Sequence, residues 1–206
     1  MPRLKVKICG VTRLEDALAA VRLGADAIGF NFWPRSKRYL PPADARAIIR
    51  RLPTFVSAVG VFVDPTCDEV RRAAEASGIV LAQLHGDETP ELCLEMPLPV
   101  LKAIRVADAR SLVQIASYEV RGFLLDAPSA GYGGSGKVFE WSLVADVARE
   151  MPVVLAGGLT PENVAEAVRA VRPWAVDVAS GVESAPGVKD EQKMRRFIEA
   201  AKEVDG

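Results

Sequence analysis

The chain has 206 residues, of which 50% are hydrophobic and 26% are charged, a composition typical of one globular domain with a sizeable core. Its formal net charge is −1, so it has no basic excess that would favour nucleic acid or an anionic membrane surface. The longest apolar runs, such as Phe55–Val63, are too short to span a bilayer, and we expect no membrane partner.

The cysteine and histidine content narrows the class of protein further. The cysteines are Cys9, Cys67 and Cys93, an odd number without CxxC spacing, which fits neither a disulfide framework nor a zinc cluster. A reducing compartment is the simpler interpretation, and residues 1–7 show no signal-peptide pattern, so we expect a cytoplasmic protein. His85 is the single histidine, which excludes a metal site built on several imidazoles, and we expect no metal.

Eight short apolar runs alternate with amphipathic helices along the chain. Thr12–Glu15 and Thr66–Glu69 both fit a capping box, in which the Thr hydroxyl and the Glu carboxylate accept bonds from free N–H groups of the first helical turn. Gly24 ends the first helix, and Pro41-Pro42 opens the second, which reaches about Leu52. The predicted strands are Leu4–Cys9, Ala27–Asn31, Val56–Val63, Leu81–Leu84, Val100–Ile104, Phe123–Asp126, Val153–Ala156 and Ala175–Ala179. Later helices are expected near residues 89–95, 108–116, 141–150, 161–171 and from 190 onward.

This alternation predicts a parallel sheet, because a helical crossover joins parallel strands. Eight complete units without edge-strand character favour closure into a single (β/α)8 TIM barrel domain that spans residues 1–206. The alternative is an open, doubly wound sheet. It is disfavoured because no GxGxxG motif follows the first strand.

The active sites of such barrels lie at the C-terminal ends of the strands. Cys9 ends the first strand, where it is either a small buried hydrophobe or a base or nucleophile whose thiolate is stabilised by its neighbours. Asp126 ends the sixth strand, where it is either a turn cap or an acid–base carboxylate at the barrel mouth. The glycine-rich segment after Asp126 favours a catalytic role, because close approach of a ligand needs a bare backbone.

Two pairs of small residues predict a phosphate site. Gly157-Gly158 follows the seventh strand and Ser180-Gly181 the eighth, and N–H groups after these strands are the usual phosphate site of such barrels, although plain turn glycines are the alternative. Residues 184–189 are expected to add a short helical turn at this site. A valine in place of Gly158 or Gly181 is expected to exclude the ligand by its bulk while leaving the fold intact. Gly131–Lys137 fits GxxxxGK, but Val138 stands where a P-loop needs Ser or Thr, so nucleotide hydrolysis is disfavoured.

Three further polar residues are candidates for substrate contacts. Arg38 lies in the basic loop 33–40, which is either a solvated charge run or an anion clamp, since arginine can grip a carboxylate with two bonds. His85 could contact a ligand or be a structural histidine. Asp177 lies inside the eighth strand, where an unpaired carboxylate is costly, so we expect it to hold a neighbour in place.

Seven segments, taken in this order, resemble the phosphoribosylanthranilate isomerase family of tryptophan biosynthesis. They are Lys7–Gly10, Gly24–Phe30, Ser36–Tyr39, Gln83–Gly86, Gly133–Lys137, Ala156–Leu159 and Asp177–Glu183, within a resemblance that runs from Lys5 to about Lys189.

The resemblance implies a cofactor-free Amadori rearrangement of N-(5-phosphoribosyl)anthranilate to 1-(2-carboxyphenylamino)-1-deoxyribulose 5-phosphate. Asp126 would be the general acid that opens the furanose ring, and Cys9 the general base at C2. Arg38 would hold the anthranilate carboxylate, and the loops of Gly157-Gly158 and Ser180-Gly181 the phosphate. The resemblance also allows a homodimer.

Two alternatives stay open. Another phosphosugar isomerase or epimerase barrel would share the phosphate loops, although a metal-dependent epimerase would need several His ligands, and the histidine-pathway isomerase carries Asp where Cys9 stands. A non-catalytic phosphate-binding barrel would share the glycine loops, but it offers no reason for Cys9 and Asp126 to stand at opposed strand ends.

Overall fold

A computed structural model describes residues 3–126 and 141–204. Within them, eight parallel strands in consecutive order close into one barrel, which confirms the predicted (β/α)8 architecture. The strands are β1 (Lys5–Ile8), β2 (Ala27–Asn31), β3 (Ser57–Phe62), β4 (Leu81–Leu84), β5 (Val100–Arg105), β6 (Gly122–Asp126), β7 (Val153–Ala156) and β8 (Ala175–Val178). The predicted strand ends agree with these to one residue. The predicted glycine-rich motif Gly131–Lys137 lies outside the described residues.

Helices cover the outside of the barrel. They are α1 (Leu14–Leu23), α2 (Pro42–Ile49), α3 (Cys67–Ser77), α4 (Pro90–Leu94), α5 (Arg110–Val113), α6 (Trp141–Glu150), α7 (Val164–Val171) and α8 (Glu191–Glu203). Helices α2, α5 and α7 are shorter than predicted: α2 ends at Ile49, α5 passes into a 3-10 helix, Gln114–Ser117, and α7 begins at Val164. None of the helices in the described part of the chain is long and apolar enough to cross a membrane.

The period of two along each strand divides its side chains between the helices and the barrel interior. On β1, Val6 and Ile8 are buried in the core shared with the helices, and the alternate residues Lys7 and Cys9 face inward. The inward apolar residues of the later strands form a separate cluster: Leu101, Ala103, Leu124, Val154, Ala156 and Ala175. Polar residues of inward phase near the strand C-termini are therefore brought to one mouth.

One of the two predicted capping boxes is correct and the other is wrong. Thr66 caps α3 as predicted, since its side chain accepts from the Glu69 N–H and Glu69 in turn accepts from the Thr66 N–H. Helix α1 instead begins after Arg13, without a side-chain cap. The Thr12 side chain is directed instead toward a distant segment, since its hydroxyl donates to the carbonyl of Gly187 at 2.6 Å.

The chain after β8 also differs from the prediction. The helical turn is a 3-10 segment at Ser180–Val182, and residues 184–189 belong instead to an antiparallel hairpin of β9 (Glu183–Ala185) and β10 (Val188–Lys189). Gly187 turns the hairpin with φ of +82°, a left-handed conformation that glycine adopts without strain.

The start of α7 lies three residues later than predicted, because Asn163 closes the preceding turn. Its Oδ1 accepts from the Thr160 N–H at 2.8 Å, and its Nδ2 donates to the Gly158 carbonyl at 3.1 Å. Residues 161–163 are thus held as a turn that packs beside the loop after β7.

Candidate active site

The carboxyl end of the barrel brings together four of the predicted site residues. Cys9 follows β1, His85 follows β4, Asp126 ends β6, and Asp177 lies in β8. All four have the inward phase of their strands. Strands β1 and β6 stand three positions apart in the closed order, so Cys9 and Asp126 face the mouth from different sides.

Cys9 is buried beside a charged pair. The Lys7 Nζ donates to Asp177 Oδ1 at 2.8 Å, so Asp177 does hold a neighbour in place. A Cβ atom added to Gly29 would lie 2.8 Å from Cys9 Sγ and 3.0 Å from Lys7 Nζ. The thiol and the ammonium group therefore both pack against the backbone of Gly29, which has no side chain. Sequence reasoning missed Lys7, although a lysine within an apolar strand, two residues before Cys9, was a usable signal.

The protonation of these groups follows from burial and charge. Burial raises the pKa of Cys9, and the opposing effect of Lys7 is too small to reverse it. Burial by itself would lower the pKa of Lys7, but the combined effects of Asp177 and Cys9 outweigh burial and raise it, so Lys7 stays cationic. The cationic neighbour expected for a thiolate is present, yet the uncharged thiol is the resting form at neutral pH.

Asp126 lies in contact with His85. His85 Nε2 is 3.3 Å from Asp126 Oδ2, and Gln83 Nε2 is 3.2 Å from His85 Nδ1. Because the Gln83 amide donates to Nδ1, the ring proton is on Nε2 and points at the carboxylate. About a third of the Asp126 side chain is exposed, at 34%. A ligand in the mouth can therefore reach the carboxyl group directly.

Buried charges fix the loop that carries His85. Glu88 and Lys102 are almost fully buried and joined at 2.8 Å. Glu88 also accepts from the N–H groups of Asp64 at 2.9 Å and Gly86 at 3.1 Å. Neither residue of this pair was predicted as part of the site, and its effect is to hold the first residues after β4 in one arrangement.

The side chain of Arg38 is half-buried rather than part of a solvated charge run. Its guanidinium group binds both oxygens of Glu183, with distances of 2.7 Å and 2.6 Å. Glu183 begins β9 and also accepts from Lys189 Nζ at 2.8 Å. Sequence reasoning placed Arg38 correctly at this end of the barrel but gave no role to Glu183 or Lys189.

The loops after β7 and β8 meet each other, as a shared anion site requires. Gly157 and Gly158 are left-handed, with φ of +94° and +57°, and the 3-10 segment begins at Ser180, which is exposed. A Cβ atom at Gly181 would lie 2.0 Å from the Leu159 carbonyl oxygen. The expectation that valine at Gly181 leaves the fold intact is therefore wrong, because that glycine allows the two loops to touch.

Comparisons with known proteins agree with this architecture. The model of the N-(5'phosphoribosyl)anthranilate (PRA) isomerase family matches residues 6–200. The N-(5'-phosphoribosyl)anthranilate isomerase of Myxococcus xanthus is 51% identical over 207 residues, which cover 98% of this chain and 98% of that protein.

Two solved structures give the same result. A phosphoribosyl anthranilate isomerase in complex with reduced 1-(o-carboxyphenylamino)-1-deoxyribulose 5-phosphate has a TM-score of 0.89 and 44% identity, covering 97% of this chain and 99% of its own. Monomers generated from the dimeric isomerase of Thermotoga maritima have a TM-score of 0.87 and 43% identity, with the same coverage.

Proposed function

The chain belongs to the phosphoribosylanthranilate isomerase family, and from that premise we propose that it converts N-(5-phosphoribosyl)anthranilate to 1-(2-carboxyphenylamino)-1-deoxyribulose 5-phosphate in tryptophan biosynthesis. The observation that carries the proposal is the pair of opposed polar groups at the barrel mouth: Cys9 beside Lys7, and Asp126 beside His85. An acid and a base on different sides of one sugar can act on its ring oxygen and on its C2 proton.

In the first step, Asp126 gives its proton to the furanose ring oxygen. The bond between C1 and that oxygen breaks, and the nitrogen lone pair forms a protonated Schiff base. The acid must carry its proton when the substrate arrives, and the neighbouring His85 N–H, 3.3 Å from Oδ2, holds the Asp126 side chain at the mouth. The exposed part of Asp126 supports this role, because it is open to the ligand.

In the second step, Cys9, which has first released its thiol proton to solvent, acts as the thiolate and takes the proton from C2. The electrons of that C–H bond form a double bond between C1 and C2, and those of the Schiff base return to nitrogen, which gives an enolamine. Loss of the proton on the C2 hydroxyl and gain of a proton at C1 then give the aminoketose. The positive Schiff base favours the thiolate, and it adds to the effect of Lys7 against the burial that raises the pKa of Cys9.

Two groups of residues bind the substrate, one at each of its ends. Arg38 holds the anthranilate carboxylate, while the N–H groups of Gly157, Gly158 and the turn at Ser180-Gly181 hold the phosphate. The contact between the two glycine loops supports a shared phosphate site. The rearrangement involves no net oxidation or reduction of the substrate and transfers no group to another molecule. Its chemistry therefore requires no cofactor.

A homodimer is part of the proposal. One structural relative is described as dimeric, and Phe55, between α2 and β3, is a large apolar side chain that is 97% exposed and so available for a contact between copies. Light scattering should give twice the monomer mass for the purified chain. Phe55→Glu should halve that mass, whereas the same change at the exposed Val113 should not.

The activity itself is tested with purified chain and freshly prepared substrate, by following the loss of anthranilate-adduct fluorescence and identifying the product. The proposal predicts rapid conversion to the aminoketose. Turnover of only the histidine-pathway aminoaldose would favour the related isomerase, and binding without turnover of either compound would favour a phosphate-binding scaffold.

A further inference from the structure

Arg38 is held by a carboxylate that the reaction does not use. Nε donates to Glu183 Oε1 at 2.7 Å, and Nη2 donates to Oε2 at 2.6 Å. These two parallel bonds fix the plane of the guanidinium group as well as its position, because a single bond would allow rotation. The aliphatic part of the Arg38 side chain is confined as well, because it packs against Gly10: a Cβ atom at Gly10 would lie 2.3 Å from Arg38 Cδ.

The bonds to Glu183 leave a second fork of the same group open. A guanidinium group has five N–H donors, and the pair on Nε and Nη2 forms only one of its two carboxylate-binding edges. The edge formed by Nη1 and the outer N–H of Nη2 is not used by Glu183. A second carboxylate can therefore bind Arg38 with two bonds while Glu183 remains in place.

Glu183 is itself anchored by more than Arg38. Its Oε1 also accepts from Lys189 Nζ at 2.8 Å and from the Gly187 N–H at 3.3 Å. Burial would raise the pKa of Glu183, but the bonds from Arg38 and Lys189 outweigh burial and lower it, so the group stays ionised. Burial lowers the pKa of Lys189, so the attraction for an incoming carboxylate is assigned to the guanidinium group of Arg38, whose pKa Glu183 raises.

The position of Glu183 in the chain links the two ends of the proposed ligand. It directly follows the 3-10 segment Ser180–Val182, which lies at the proposed phosphate site, whereas Arg38 comes from the loop after β2. The ion pair thus joins the two loops at a set spacing. Preorganisation of this kind improves binding because less conformational freedom is lost when the ligand arrives.

We propose that Glu183 is a positioning residue that presets Arg38 to grip a carboxylate on the aromatic amine of the substrate, and so sets selectivity for carboxylated aminoaldoses. This inference rests on the proposed function, in which Arg38 binds the anthranilate carboxylate. It assigns to Glu183 no contact with the substrate and no proton transfer.

The test compares two ligands on five proteins by calorimetry. The ligands are the reduced product analogue with a 2-carboxyphenyl group and its counterpart with a plain phenyl group. The proteins are wild type, Arg38→Met, Glu183→Asp, Glu183→Gln and the control Ser184→Ala, which alters the adjacent exposed hairpin position. Glu183→Asp keeps the charge next to Lys189 but is one methylene too short for both bonds to Arg38, so it remains informative if Glu183→Gln fails to fold.

We expect the Glu183 variants and Arg38→Met to bind the carboxyphenyl ligand about tenfold or more weakly, the scale of a lost charge-assisted bond. Their affinity for the phenyl ligand should change less than about twofold, and Ser184→Ala should match wild type with both ligands. Unchanged affinity of Arg38→Met for the carboxyphenyl ligand would remove the carboxylate clamp from the proposed function. A loss in Arg38→Met without a loss in the Glu183 variants, or equal losses for both ligands in those variants, would overturn the positioning role alone.

Discussion

Replacement of Lys7 by methionine tests how the buried Cys9 thiol can act as a base. Methionine keeps the length and burial of the side chain but removes the ammonium group that ends beside Cys9 Sγ. Lys7 opposes the effect of burial on the pKa of Cys9, whereas Asp177 adds to it. The variant therefore loses the favourable charge and leaves the unfavourable one uncompensated, so the pKa of Cys9 rises further.

The size of the effect follows from the geometry. Lys7 Nζ and Cys9 Sγ each lie within 3.0 Å of one point above Gly29, so their separation is at most about 6 Å. At that distance, a charge pair in a medium of effective dielectric about 20 is worth about 3 kcal/mol. Such a change reduces the thiolate population by about a hundredfold. A similar fall in kcat/KM at neutral pH is expected.

The assay is the pH dependence of kcat/KM. A thiolate base acts above its pKa, so the rate rises with pH along that limb, and a higher pKa moves the limb to higher pH. Lys5→Met is the matched control, because Lys5 lies on the same strand but pairs with Asp26 near the surface. It should leave the limb in place.

The stability of the Lys7 variant has to be measured alongside. Breaking the buried pair leaves Asp177 unpaired, at a cost of about 3–5 kcal/mol. The double variant Lys7→Met/Asp177→Asn removes both charges, and its pH limb should lie between those of wild type and Lys7→Met. A Lys7→Met enzyme that folds and keeps the wild-type pH limb would refute this account of Cys9.

Three further changes test other parts of the structure. Asp126→Asn removes a transferable proton while keeping the shape, so kcat should fall by about two decades or more without a change in the thermal midpoint; turnover within a few-fold of wild type would mean that another group protonates the ring. Gly181→Ala places a Cβ against the Leu159 carbonyl, so both thermal stability and affinity for inorganic phosphate should fall, and a normal phosphate titration would contradict the contact. Lys102→Met strands the buried Glu88 carboxylate, so urea unfolding should show a loss of about 3–5 kcal/mol, whereas a loss below about 1 kcal/mol would contradict the pairing.

Strand positions were predictable because each apolar run is short and ends at a polar residue or glycine. Cys9 and Asp126 were identified in the same way, since the last residue of a barrel strand faces the mouth. His85 and Asp177 were candidates as well, but the partner of each was not identified, because the pairs join distant segments. Lys7 and Asp177 are 170 residues apart, and Arg38 and Glu183 are 145 apart, so a local pattern can single out a residue such as Lys7 but cannot indicate its partner.

The two capping motifs show that a local sequence pattern does not by itself determine whether a capping box forms. Among residues 3–126 and 141–204, the Thr66 side chain bonds only to Glu69, and it forms its box as the four-residue pattern predicts. Thr12 has the same pattern, but its hydroxyl donates a hydrogen bond to the carbonyl of Gly187, 175 residues away. The hairpin that carries Gly187 was itself predicted as a helical turn, so the two errors have one origin in the packing of the loop after β8 against the start of α1.

The most direct test of the acid–base pair is the isomerase assay on matched cysteine variants. Cys9 and Cys93 are both buried and free of disulfides, but only Cys9 stands at the barrel mouth. With N-(5-phosphoribosyl)anthranilate as substrate, Cys9→Ala should lose at least about two decades of kcat, while Cys93→Ala should keep the wild-type rate. Near-normal turnover by Cys9→Ala would contradict the assignment of Cys9 as the base.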